Sequence, residues 1–83
     1  MIIQFTFEKT NRYKGVLYLH GWQAKPYLSD WLNISLRRYD QELPPLFPGM
    51  LLSCKVKFID RSAAEGRPGF ATYELLRFTR SPH

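Results

Sequence analysis

The chain lacks most of the residues that would fix it by covalent or metal chemistry. It holds a single cysteine, Cys54, in 83 residues, so no disulfide can form within one molecule. That argues against a secreted domain held by crosslinks and for a reducing, cytoplasmic setting. Its only histidines are His20 and His83, and no His-x-x-Glu-His, Cys-x-x-Cys, phosphate-loop or nucleophile-elbow pattern accompanies them. The acids are scattered, with Asp40 and Glu42 in a proline-rich stretch, so neither a metal nor a cofactor is implied and the chain does not read as an enzyme. No apolar run approaches the roughly 20 residues needed to cross a bilayer. The opening MIIQFTFEKT alternates where an export signal would be continuously apolar. Repeats, low-complexity tracts and linkers are also lacking, and one domain over 1–83 is expected.

What the chain has in quantity is rings and positive charge. Apolar residues make up 45% and aromatics 16%, enough to offset the entropy of ordering, so the chain is globular. Twelve Lys and Arg against seven Asp and Glu leave a formal charge of +5, a field that attracts polyanions, nucleic acid first, although a mildly basic surface also serves plain solubility.

Period-2 alternation dominates. In IIQFTFE, Ile3, Phe5 and Phe7 share one face, which predicts a half-buried strand from Ile2 to Glu8. TNRYKG reads as a loop and VLYLHGW as a second strand, rich in β-branched and aromatic residues. Pro26 turns the chain. A third strand over LSDWLNISL puts Leu32, Ile34 and Leu36 on one face and Trp31, Asn33 and Ser35 on the other. A helix over Ser29 to Tyr39 competes with it, since Ser29 or Asp30 is a suitable cap and Leu32, Leu36 and Tyr39 recur at helical spacing. The prolines of DQELPPLFPG exclude a ladder there, and Pro48-Gly49 suits the centre of a type II turn. MLLSCKVKFID is the clearest strand, with Leu52, Cys54, Val56 and Phe58 inward and Ser53, Lys55 and Lys57 toward water. After the loop RSAAEGRPG, FATYELLRFTR closes the chain, with Ala71, Tyr73, Leu75 and Arg77 on one of its faces. Five strands with hairpin-type connections predict an all-β fold, a small antiparallel barrel of the OB-like kind with an SH3-like barrel as the alternative.

The cations are interleaved with the rings: Arg12 and Lys14 beside Tyr13; Lys25 between Trp22 and Tyr27; Arg37 and Arg38 after Trp31. Single-stranded nucleic acid asks for this mixture, because cations track phosphates while unstacked bases lie on aromatic faces. The expected contacts are stacking by Trp22, Tyr27, Trp31 and Tyr73 and phosphate binding by Arg12, Lys14, Lys25, Arg37, Arg38, Lys55 and Lys57, with little sequence preference. The bland readings are that about half the rings, Tyr18 among them, belong to the core and that Lys55 and Lys57 are an ordinary solvated strand face. Of the two tryptophans, Trp31 is expected to be presented and Trp22 partly buried.

The opening MIIQFTF, KPY at Lys25 to Tyr27, PG at Pro48-Gly49 and the closing GRPGFATYELLRF together make the chain similar to the single-stranded-DNA-binding proteins of filamentous phages, the gene V family. The resemblance implies an OB-like barrel that dimerises and coats single-stranded DNA, with Arg12, Lys25 and Tyr27 in or beside the DNA-binding hairpin and the loop from Arg61 to Gly69 as the homodimer contact. The interval from KPY to PG is shorter than in that family and carries three prolines, which leaves strand count and dimer geometry open.

Two other functions fit the same residues. A phage- or plasmid-encoded module or inhibitor would anchor on a host protein through Trp31 and LPPLFPG, since tryptophan and arginine are favoured interface anchors. A small basic ribonuclease or toxin would need His20 beside a cationic cleft.

Overall fold

A computed structural model describes residues 1–24, 29–62 and 69–79. Five strands follow one another: β1 (Ile2–Tyr13), β2 (Val16–Ala24), β3 (Ser29–Ser35), β4 (Leu51–Ser62) and β5 (Phe70–Phe78). They close into a barrel in the order β1-β2-β3-β5-β4, with β4 returning to β1. All neighbours are antiparallel except β3 and β5, which run parallel. The closed five-stranded barrel is of the small OB-like or SH3-like kind expected. No helix occurs among the described residues, and so none that is long and apolar enough to cross a membrane.

The alternation fixes the inside. Ile3, Phe5 and Phe7 from β1 meet Leu19, Leu32, Ile34, Leu52, Cys54, Val56, Ala71, Tyr73 and Leu75 in one core. Burying Phe5 alone contributes about 1.5–3 kcal/mol. β3 is a strand and not the competing helix because Leu32 and Ile34, two apart, are both wholly buried, whereas a helix would turn Ile34 away from Leu32. Gly21 lies inside, its backbone close against Thr6 and Phe5 of β1. A Cβ there would collide with the Thr6 carbonyl oxygen and stand 2.7 Å from the Phe5 ring.

Between β3 and β4 the prolines leave an irregular segment that closes one end of the barrel, with Leu36 buried and Tyr39, Leu43 and Leu46 packed on the core. Its last turn is the expected type II turn: Met50 N donates to Phe47 O at 3.0 Å and Gly49 has φ +90°.

Register differs from the sequence reading at two of the three bulges. β1 does not stop at Glu8 but runs to Tyr13, because an irregularity between Phe7 and Lys9 lets the strand continue. The polar TNRYKG is therefore strand plus a two-residue turn in which Lys14 and Gly15 have φ of 50° and 77°, the type I′ signature. In β5, Leu75 pairs with Val56 and Arg77 with the adjacent Lys55, so Leu76 is the extra residue. Tyr73 therefore stays inside while Arg77 turns out and Phe78 turns in, and the common face expected for Tyr73 and Arg77 does not exist. The third bulge, between Phe58 and Asp60, lies near the end of β4, where Phe58 is exposed rather than buried. Ser53, expected toward water, is buried and accepts a hydrogen bond from Thr79 Oγ1 at 2.6 Å.

Candidate nucleic-acid interface

The bulge at Glu8 decides what the outer face of the barrel carries. Ahead of it the odd-numbered residues of β1 point inward; beyond it Lys9 pairs with His20, Asn11 with Tyr18 and Tyr13 with Val16. Partners across an antiparallel ladder share a face, so Lys9, Asn11 and Tyr13 join Tyr18, His20 and Trp22 outside. On the other side of β2, Trp22 pairs with Trp31 and His20 with Asn33.

The result is a continuous row of rings across β2 and β3. Tyr18 and His20 stack with centroids 6.1 Å apart and planes 13° from parallel. His20 and Trp31 stack at 5.6 Å and 10°. Trp22 meets Trp31 edge to face at 4.8 Å and 68°. These separations lie in the favourable range for aromatic pairs, so the rings hold one another in place. Trp22 is fixed from the other side, since its indole Nε1 donates to Glu8 Oε2 at 2.8 Å; the bulged residue thus also orients a ring. The ammonium of Lys9 sits 5.9 Å from the centre of the Trp31 ring, within cation–π reach. Phe70 of β5, exposed, pairs in register with Trp31 and extends the apolar surface.

His20 occupies the middle of the row and is only 9% exposed. Its Nδ1 lies 3.3 Å from the Leu32 carbonyl oxygen. Because a carbonyl only accepts, Nδ1 is the donor in that contact. Beside it opens a cleft of about 260 Å³ lined by Asn11, Tyr13, Tyr18, His20, Asn33 and Thr72. Among the described residues no cation lines this cleft.

The expected contact residues divide. Trp22 and Trp31 are brought together on the row, but their exposure is opposite to expectation: Trp22 is 38% exposed, and Trp31 is half-buried among His20, Trp22 and Lys9. Tyr73 is a correction. It is a core residue whose ring meets Phe58 at 5.8 Å, and it offers no face for stacking. Lys14 stands at the hairpin tip, its Nζ 5.4 Å from the centre of the Tyr13 ring. Arg12 pairs with Leu17, which packs on the core, so it lies on the side of the hairpin away from the rings. Arg37 and Arg38 follow the end of β3; Arg38 Nε is 2.7 Å from Glu74 Oε1. Lys57 pairs with Glu74 on β5, while Lys55 pairs with Ile2 and Arg77 on a different wall. Lys25 and Tyr27 lie outside the described residues. Of the expected dimer loop, Arg61 Nη2 donates to the buried Asp30 at 3.0 Å, and 63–68 lie outside the described residues.

Lys9, Tyr18, His20, Asn11 and Asn33 were not among the residues expected at the site. The spacing of Tyr18, His20 and Trp22 signals one shared face of β2, but Lys9 and Asn11 reach it only through the bulge.

Burial pushes the Cys54 thiol from 9.0 up to about 12, which keeps it protonated and unreactive. Among the described residues no group of three or more His, Cys, Asp or Glu could hold a metal ion. Compared with known proteins, the chain matches no family, no curated relative and no solved structure.

Proposed function

We propose that the protein binds single-stranded nucleic acid, DNA before RNA, largely without sequence preference, by laying bases on Tyr18, Trp31 and Trp22, the rings of the row that reach its surface, with His20 packed between Tyr18 and Trp31. The observation that carries this reading is the row itself: four rings held in contact on an outer barrel face, with Lys9 over one of them. Each stacked base contributes about 1–3 kcal/mol, and every base has a π-face, which makes the contact tolerant of sequence. The strand 2–strand 3 face is also where OB-like barrels commonly take oligonucleotides, an analogy of fold that supports the site without replacing it. Lys9 and Lys14 serve phosphates nearest the rings. Lys25 and Tyr27 keep their proposed roles because they follow directly on the tryptophan end of β2. Arg12, Arg37, Arg38, Lys55 and Lys57 supply a more distant field. A cytoplasmic, phage-type coating role and a homodimer through Arg61–Gly69 belong to the same proposal.

Binding of a labelled single-stranded oligonucleotide, followed by anisotropy over a range of salt, tests it. Affinity is expected to fall log-linearly with salt, by about 0.7 in slope for each phosphate neutralised. Salt-independent binding, or none at low salt, contradicts the reading. A second reading, a module that docks on a host protein, is favoured by Phe47, 65% exposed in the proline-rich segment. Phe47→Ala leaves oligonucleotide affinity unchanged under the first reading and abolishes partner capture under the second.

A further inference from the structure

The bulge in β1 sets two oppositely charged residues side by side against the two tryptophans. Phe7 pairs with Gly21 and Lys9 with the adjacent His20, so Glu8 is the extra residue and has no cross-strand partner of its own. A bulge re-aims side chains, and this one brings neighbours in sequence to neighbouring rings on the outer face. Glu8 Oε2 accepts a hydrogen bond from Trp22 Nε1 at 2.8 Å, and Lys9 Nζ stands 5.9 Å from the centre of the Trp31 ring.

The two charges act in opposite senses on a polyanion. Lys9 attracts phosphates, whereas Glu8 repels them, so on electrostatics alone a strand would bind better without Glu8. What Glu8 contributes is orientation. Trp22 is exposed at the end of the row and packs edge to face on Trp31 at 4.8 Å. An indole packed in that way can still turn about its side-chain torsions, and a charge-assisted hydrogen bond to a carboxylate restrains it. The same bond takes up the one donor an indole has, so Trp22 offers a strand its ring surface and not its N–H.

Resting on the reading of the row as a single-strand platform, we propose that Glu8 is a positioning residue: its carboxylate holds the Trp22 indole in the orientation that stacks on a base, and this gain outweighs the repulsion its charge exerts on phosphates. The bulge thereby serves both tryptophans, Trp22 through Glu8 and Trp31 through Lys9.

Orientation and charge are separable because they predict opposite signs. The indole N–H resonances of isotope-labelled wild type, Glu8→Ala and Glu8→Gln are recorded by NMR, with Trp22→Phe assigning the two signals and circular dichroism checking that each variant is folded. Each protein is then titrated against fluorescein-labelled oligo(dT) by anisotropy. Glu8→Ala is expected to move the Trp22 resonance of the free protein toward that of a water-exposed indole and to weaken oligo(dT) binding about threefold or more, although it removes a repulsive charge. Glu8→Gln, whose amide oxygen still accepts, is expected to keep wild-type affinity or exceed it. In a Trp22→Phe background, where no N–H remains to be held, adding Glu8→Ala is expected to leave affinity unchanged or raise it. If Glu8→Ala fails to fold, Glu8→Ser, also too short to reach the indole, carries the same expectations. Affinity that is unchanged or higher in Glu8→Ala, an equal loss in Glu8→Gln, or an unmoved Trp22 resonance overturns the positioning role and leaves the platform standing. Absence of wild-type binding overturns the platform and the role in binding with it, and the Trp22 resonance then reports only whether the hydrogen bond forms.

Discussion

Two outer walls of the same barrel are built on the same alternation and end up chemically unlike. The wall of β2 and β3 sets Tyr18, His20, Trp31 and Trp22 in mutual contact, with Lys9 over a ring. On the wall where β4 lies between β1 and β5, Lys55 is flanked in register by Ile2 and Arg77, and the exposed apolar residues Ile2, Leu51 and Leu76 are aliphatic. Both walls are basic, but among the described residues the cations set over rings, Lys9 over Trp31 and Lys14 over Tyr13, lie on the side of the first. Aliphatic groups offer a base no stacking partner, so cations beside them provide solubility and a general field. Positive charge alone is therefore a poor guide to where a strand would lie; ring adjacency is the better one.

The largest expected effect comes from the position that joins the walls. Gly21→Ala forces a methyl group against the Thr6 carbonyl and the Phe5 ring, and neither backbone nor core can yield cheaply. Stability is expected to fall by about 3 kcal/mol or more, measured by urea unfolding, with both walls lost together. Retention of wild-type stability would show that β1 and β2 do not approach as described.

Cys54, on the core side of β4, gives the next effect. With its thiol pushed up to about 12, native-state labelling by a thiol reagent at neutral pH is expected to run roughly a thousand-fold below that of an ordinary thiol. The folded pKa is above the unfolded one, so the thiol's contribution to stability is complete below about pH 9 and is lost as pH rises toward 12. Cys54→Ala is expected to show a shallower alkaline loss of stability than wild type, whatever its stability at neutral pH.

The walls are separated most cleanly by binding. Trp31→Ala removes the ring shared by His20, Trp22 and Lys9 and is expected to weaken oligonucleotide binding by about 1–3 kcal/mol, roughly fivefold to 150-fold. Lys9→Gln is expected to lower the salt slope by about 0.7, while Lys55→Gln leaves it unchanged. Equal effects of the two lysines would erase the distinction between the walls. The smallest effect concerns the hairpin tip. Lys14 holds a φ of 50° that costs a non-glycine residue energy, so Lys14→Asn is expected to raise stability by a few tenths to about 1 kcal/mol in thermal unfolding, with the row unchanged.

The inside of the barrel was legible because it depends on period two alone. Ile3, Phe5 and Phe7, then Leu52, Cys54 and Val56, face inward as their spacing requires, whereas in β5 spacing grouped Ala71, Tyr73 and Leu75 on one face without saying which way it points, and Tyr73, expected to stack on bases, lies in the core. The type II turn at Pro48-Gly49 was legible for the same local reason, since its dihedral demand is written in two residues. The outside was less legible because bulges invert parity without a residue type that announces them. One at Glu8 carries Lys9, Asn11 and Tyr13 to the rings, and one at Leu76 parts Tyr73 from Arg77. The row also depends on the β2–β3 register that sets Trp22 opposite Trp31, a non-local fact. That same register gives the two tryptophans unequal exposure and makes them distinguishable in solution.

The most direct test follows from that difference. A Trp22→Phe variant keeps Trp31 as the sole tryptophan, at the centre of the row. Its fluorescence is followed while an unlabelled single-stranded oligonucleotide is added at low and at moderate salt. Saturable quenching that weakens as salt rises is predicted, because a base must come to lie on the indole and phosphates must find the cations. Unchanged Trp31 emission at low salt, with the variant folded and the oligonucleotide in excess, would contradict the stacking platform.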